Sequence, residues 1–119
     1  MAADLRYPTY DLSDEGVRQA LVDLGTTENA VYRNLLGYHI SGERLSECDC
    51  PVANWLKKVI RGATEVHIML GEAVVYGPED SEYDEPPAKA VAVLPDPVAN
   101  FIDGYDGGSM YEELEVSRG

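Results

Sequence analysis

Cysteine and uninterrupted apolar sequence are both scarce in this chain, and each scarcity closes off a class of protein. The two cysteines, Cys48 and Cys50, stand one residue apart, which is not the disulfide framework of a small secreted domain. No apolar run approaches the ~20 residues needed to cross a bilayer. Residues 1–6 lack the basic and apolar regions of a secretory signal. Gly-x-Ser-x-Gly, His-Glu-x-x-His and a Gly-rich phosphate loop are all missing, so hydrolytic, zincin and nucleotide chemistry have no anchor. Together these absences predict a reduced, soluble protein of the cytoplasm of a bacterial host cell, with no cofactor and no enzymatic activity.

Positive charge is scarce too, and unevenly so. Residues 1–62 carry seven Lys/Arg against nine Asp/Glu, and residues 63–119 carry two against thirteen. Net charges of −2 and −11 make up the −13 of the whole chain. A one-sided negative field acts on solubility, partner choice and encounter rate rather than on fold. It opposes direct contact with nucleic acid and with anionic membranes, and it favours a protein partner with a basic surface.

What the chain does have is enough apolar sequence to fold. At 119 residues with 45% hydrophobic side chains it is the size of one ordinary domain, and wholesale disorder is excluded. Ser13 caps a helix in which Val17, Ala20, Leu21 and Leu24 form one stripe, ended by Gly25. Thr27 starts a second helix with Val31 and Leu35 on one row. Cys50 and Pro51 start a third, with Val52, Trp55, Leu56, Val59 and Ile60 on one face and Lys57, Lys58 and Arg61 in its last turn. The period then changes to two: strands are predicted at 64–70, 72–76 and 88–94, with Gly71 a bulge or a hairpin turn. Asp96-Pro97 begins a last helix with Val98, Phe101 and Ile102 inward, broken by glycines from Gly104 onward.

The expected fold is therefore α+β in a single domain spanning 1–119: three N-terminal helices joined by short connections, a small mainly antiparallel sheet of two or three strands, and a C-terminal helix packed on that sheet. Residues 1–12 read as an extended arm, 77–87 as an acidic, proline-containing loop and 108–119 as an acidic tail. The expected core is Trp55, Leu56, Val59, Ile60, Val66, Ile68, Val91, Val93, Phe101 and Ile102.

Two segments carry a likeness to known sequences. Cys50-Pro51-Val52-Ala53-Asn54-Trp55-Leu56-Lys57 is one, and Leu94-Pro95 through Val98, Phe101 and Ile102 to Tyr105-Asp106 and Gly108 is the other. In these the chain resembles uncharacterised small acidic proteins of actinobacteria and their phages. The resemblance implies an accessory protein rather than a metabolic enzyme, and brings no function with it. The shared Pro-Val-Ala-Asn of the two segments reads as two helix starts under the same capping rules, not as a repeat.

Candidate chemistry is thin. Cys48 and Cys50 with His39 and His67 would supply four zinc ligands, but zinc cysteines usually stand two to four residues apart and His67 reads as an outward strand residue. A Cys48–Cys50 disulfide would close a small, strained ring. The plainer expectation is a capping, partly buried thiol at Cys50. Asp103 and Asp106 do not fit a calcium loop, and Lys57, Lys58 and Arg61 complement the helix dipole. Tyrosine, at eight residues, is the one enrichment. Tyr7, Tyr10, Tyr83, Tyr105 and Tyr111 fall outside the periodic segments, which points to interface use. The expected partner-binding residues are Glu79, Asp80, Glu82, Tyr83, Asp84, Glu85, Tyr111, Glu112 and Glu113. The expected function is that of a small acidic, phage-encoded interaction protein that binds and modulates or inhibits a basic, nucleic-acid-binding host protein. The alternatives are a structural or self-assembling accessory protein, which admits a homo-oligomer, and a zinc- or thiol-dependent protein acting through Cys48 and Cys50.

Overall fold

A computed structural model describes residues 7–43, 49–77 and 89–106. The order of elements is α1 (Asp14–Leu24), α2 (Glu28–Gly37), α3 (Pro51–Val59), β1 (Glu65–Met69), β2 (Glu72–Tyr76), β3 (Lys89–Val93) and α4 (Asp96–Asp106). The fold is α+β, with a three-stranded antiparallel sheet in the order β1-β2-β3.

Local chemistry places the first three helices. Ser13 Oγ accepts the Gly16 N–H at 3.0 Å, Thr27 Oγ1 accepts the Ala30 N–H at 3.0 Å, and Cys50 Sγ accepts the Ala53 N–H at 3.4 Å. Each satisfies an N–H that the first helical turn leaves without a partner. Only part of the expected three-helix arrangement holds. A short connection joins α1 to α2, whereas residues 38–50 separate α2 from α3. The described ends of that segment are held together by Asn54, whose Nδ2 donates to the carbonyls of Ser41 at 2.7 Å and Asp49 at 3.1 Å. Gly42 lets it pass close, since a Cβ there would stand 2.4 Å from the Asp49 carbonyl oxygen.

The sheet is amphipathic by row. Val66, Val75 and Ala90 lie in register on the buried face, as do Ile68, Ala73 and Ala92. Helix α3 packs on β1 and α1 packs on β3, while α4 packs chiefly on α2 rather than on the sheet as expected. Gly71 is half of a two-residue hairpin turn. Leu70 at φ 52° and Gly71 at φ 77° both adopt the left-handed region that such a turn requires.

The core prediction needs correction at three residues. Val93 is 70% exposed and Val91 half-buried, because β3 turns Ala90 and Ala92 inward instead. Small side chains let α1 approach β3 closely, and Asp14 Oδ1 at the start of α1 accepts the outward Val91 N–H at 2.8 Å. This contact also blunts the free edge of the strand. Ile102 is only half-buried, and Tyr105 takes its place because α4 runs on through Gly104 to Asp106. The other seven expected core residues are buried.

The described part of the arm, residues 7–12, is pinned to the body of the protein. Tyr10 N–H donates to the Val59 carbonyl and Arg61 N–H to the Tyr10 carbonyl, both at 2.8 Å, forming a parallel bridge beyond the end of α3. Under it sits Trp55, 2% exposed, whose indole N–H donates to the Ala20 carbonyl at 3.3 Å. Trp55→Ala is expected to cost about 3–5 kcal/mol, read as a lower midpoint in urea denaturation with little change in slope.

Candidate interaction surface

The predicted partner-binding residues Glu79, Asp80, Glu82, Tyr83, Asp84, Glu85, Tyr111, Glu112 and Glu113 lie outside the described residues, as does Cys48. Of the tyrosines expected at an interface, the three described make contacts within the chain, and burial of Tyr105 corrects that expectation for it. Tyr105 is buried, and its hydroxyl donates to the Gly42 carbonyl. Tyr7 stacks on Tyr38 with ring centroids 5.4 Å apart and donates its hydroxyl to the Tyr38 carbonyl. Tyr10 is half-buried and donates to Asp23 Oδ2 at 2.8 Å. These three fasten the arm and α4 to the body of the protein, using the polar tip that lets a tyrosine be buried without loss.

The second face of the sheet presents apolar surface. The row His67–Val74–Val91 is half-buried, and beside it Met69 and Val93 flank Glu72. Met69 is 37% exposed and Leu70, at the hairpin tip, 95%. His67 Nε2 lies 3.0 Å from Glu65 Oε1 and packs edge-on against the Tyr76 ring. The outward place expected of His67 therefore holds, and its local partner is a carboxylate. Among the described residues this surface is the largest collection of exposed aliphatic side chains, with Glu65 and Glu72 on its rim. Sequence reasoning missed it because alternation assigns the larger aliphatics to the core. The period of two from Val66 and Ile68 puts Leu70 on the buried face, whereas β1 ends at Met69 and the hairpin turn leaves Leu70 in solvent.

Leu70 also carries a conformational cost. A residue with a Cβ in the left-handed region is strained by roughly 1–2 kcal/mol, and nothing about a solvent-exposed leucine offsets it. Leu70→Asn, which suits this turn, is expected to stabilise the fold by about 0.5–1 kcal/mol. The measurement is the midpoint of thermal or denaturant unfolding, and a lower midpoint would contradict the turn geometry.

Cys50 is a free thiol at 3% exposure. Burial pushes its pKa up, against the smaller opposing effect of the backbone N–H groups of Ala53 and Val52. A neutral buried thiol is a poor nucleophile and a poor metal ligand. Among the described residues no group of three or more His, Cys, Asp and Glu side chains is placed to hold a metal ion. No described helix is long and apolar enough to cross a membrane. In a Cys48→Ser background, Cys50 is expected to resist a thiol reagent such as DTNB at pH 8 and to react fully once the chain is unfolded in guanidinium. Rapid reaction in the native state would show a reactive thiolate.

A concavity among the described residues lies where four segments meet. A cavity of about 180 Å³ is lined by Pro8 and Tyr10 of the arm, Asp23 and Leu24 of α1, Asn34 of α2, Tyr38 just beyond it, and Trp55 of α3. Three of its donors are engaged within the protein: Tyr10 O–H to Asp23, Asn34 Nδ2 to the Leu24 carbonyl at 2.6 Å, and Trp55 Nε1 to Ala20. Burial first, then the hydrogen bond and charge of Asp23, raise the Tyr10 hydroxyl pKa above its ordinary value, so Tyr10 stays a donor. Asp23 and Asn34 sit on the polar sides of their helices, where sequence pattern carries no signal. No protein-family model, curated protein or solved structure matches the chain.

Proposed function

We propose that this chain is a small acidic interaction protein that docks on a basic surface of another protein and modulates it, an accessory rather than a metabolic role. A basic surface that otherwise holds nucleic acid is the sharpest target, since carboxylates would then stand where phosphates go. The observation that carries the proposal is the net charge of −11 on residues 63–119. That half includes the sheet, whose second face offers Met69, Leu70 and Val93 beside Glu65 and Glu72. An apolar patch with an acidic rim suits a partner whose own apolar patch is ringed by Lys and Arg, with charge setting the encounter rate and apolar contact the lifetime. Described cations do little to offset the acids locally: Arg18 pairs with Glu15 at 2.6 Å, Lys57 with Asp49 at 3.5 Å and Arg61 with Asp11 at 3.9 Å. All three belong to the first half of the chain.

Exposure of Val93 and Leu70 also favours a second reading, self-association through the sheet face. Salt separates the two, because an electrostatic complex weakens steeply with ionic strength and an apolar dimer does not. The test is capture of partners by the tagged chain at about 50 mM and about 500 mM salt, with sedimentation of the free chain under both conditions. Basic proteins retained only at low salt are expected. Replacing Glu79, Asp80, Glu82, Asp84 and Glu85 together by Asn or Gln should leave thermal stability unchanged or slightly higher. It should also slow association with the captured protein by about 10-fold, mostly through on-rate. Unchanged association kinetics, or a salt-resistant dimer with no basic partner, would overturn the proposal.

A further inference from the structure

The cavity between the arm and α1, α2 and α3 combines features that suit one kind of ligand. Asp23 at its mouth is exposed, and its carboxylate is held in place by two neutral donors: Tyr10 O–H on Oδ2 and Gln19 Nε2 on Oδ1, each at 2.8 Å. No lysine or arginine pairs with it among the described residues, so its charge is fixed in position without being neutralised. Around it stand the rings of Tyr10, Tyr38 and Trp55, the last two with centroids 5.1 Å apart. Three of the lining donors are spent on protein acceptors, as described above, and the fourth, the Tyr38 hydroxyl, can accept as well as donate. The Asn34 side-chain oxygen and the second lone pairs of Asp23 are left to accept. Acceptors, aromatic rings and one oriented carboxylate make a setting for a group that only donates and carries positive charge.

The same aromatic column already takes a cation at its outer end. Tyr7 stacks on Tyr38, Tyr38 lies tilted at 40° against Trp55, and Lys58 Nζ lies over the Tyr7 ring at 4.9 Å from its centroid. A volume of about 180 Å³ holds one slender side chain rather than a drug-sized molecule. We propose that this cavity is a socket for a single alkylammonium group, with Asp23 as counter-ion and Tyr10 and Tyr38 as its aromatic walls. Two sources share that chemistry: a lysine side chain of a docked protein, and a small free amine. The lysine version deepens the proposed docking on a basic surface and rests on it, whereas the amine version does not.

Trp55 is the only tryptophan in the chain, so its emission and its indole N–H resonance report the cavity directly. The probes are n-butylammonium chloride, its neutral counterpart n-butanol, and a trilysine peptide with its fully side-chain-acetylated form, titrated into the full chain at constant ionic strength. Saturable change with butylammonium in the millimolar range is expected, with no saturation by butanol over the same span. Asp23→Asn should weaken it by about 10-fold or more, and Asp23→Glu should restore most of the affinity. The Trp55 indole resonance of each variant, set by its bond to Ala20, confirms that the cavity wall is intact. Trilysine binding tighter than butylammonium, and loss on acetylation, would assign the socket to lysine; the reverse order would assign it to a free amine. An equal response to butanol, no saturation by any amine up to about 100 mM, or an Asp23→Asn variant that binds like the parent would overturn the proposal. The parent chain and the variant with all five loop acids neutralised separate this inference from the proposed function. No basic partner captured by the parent, or capture unchanged in the variant, with amine binding retained refutes only the docking reading, and salt-dependent capture by a parent that binds no amine refutes only the socket.

Discussion

Burial of Trp55 is the constraint from which the rest of the described structure follows. Its ring touches the arm through Tyr38 and Tyr7, its indole N–H reaches α1 at Ala20, and its helix packs on β1 and against both N-terminal helices. An indole of that size can be enclosed only if its N–H finds an acceptor and its edges find partners. The long connection from α2 therefore has to return α3 to α1 in one orientation, and Asn54 and Gly42 are the residues that hold it there. Net charge of −13 makes this enclosure more important, because self-repulsion opposes the compact state and apolar burial must outweigh it.

The arrangement leaves two kinds of surface, with different physics. On the helix side, arm and helices converge on a small polar-rimmed cavity whose aromatic walls are a by-product of how Trp55 is covered. On the sheet side, β3 turns alanine inward and valine outward, so the strand that packs on α1 also carries Val93, the most exposed large hydrophobic residue in the described strands. Close packing on one face and apolar exposure on the other have the same cause: only small residues let α1 lie near enough for Asp14 to reach the Val91 N–H. The exposed leucine at the hairpin tip adds to that outer face at some cost in backbone strain.

A buried cysteine at a helix start shows how one residue type can invite several chemistries and perform one structural task. The Cys50 sulfur accepts the N–H that a serine would accept elsewhere, and burial keeps the thiol protonated. Two ends of the same chain thus use the same Pro-Val-Ala-Asn start for different purposes. In α3 the Asn54 side chain ties down a loop, while in α4 Asn100 is exposed.

Sequence alone determined the element types, the caps at Ser13, Thr27 and Cys50, most of the core and the uneven charge. These depend on neighbours within one or two turns, on period, or on composition. It fixed neither the inward face of β3 nor the last core residue of α4. Ala90/Ala92 and Val91/Val93 alternate equally well, and the choice belongs to a helix some seventy residues away in the chain. The cavity was invisible for the same reason. Tyr10, Asp23, Asn34, Tyr38 and Trp55 come from four segments, and only the parallel bridge at Ile60 and the closure over Trp55 bring them together. The charge that carries the functional proposal was legible from composition, because net charge needs no fold. The socket needed tertiary structure, because a carboxylate becomes a site only when other parts of the chain orient it and wall it in.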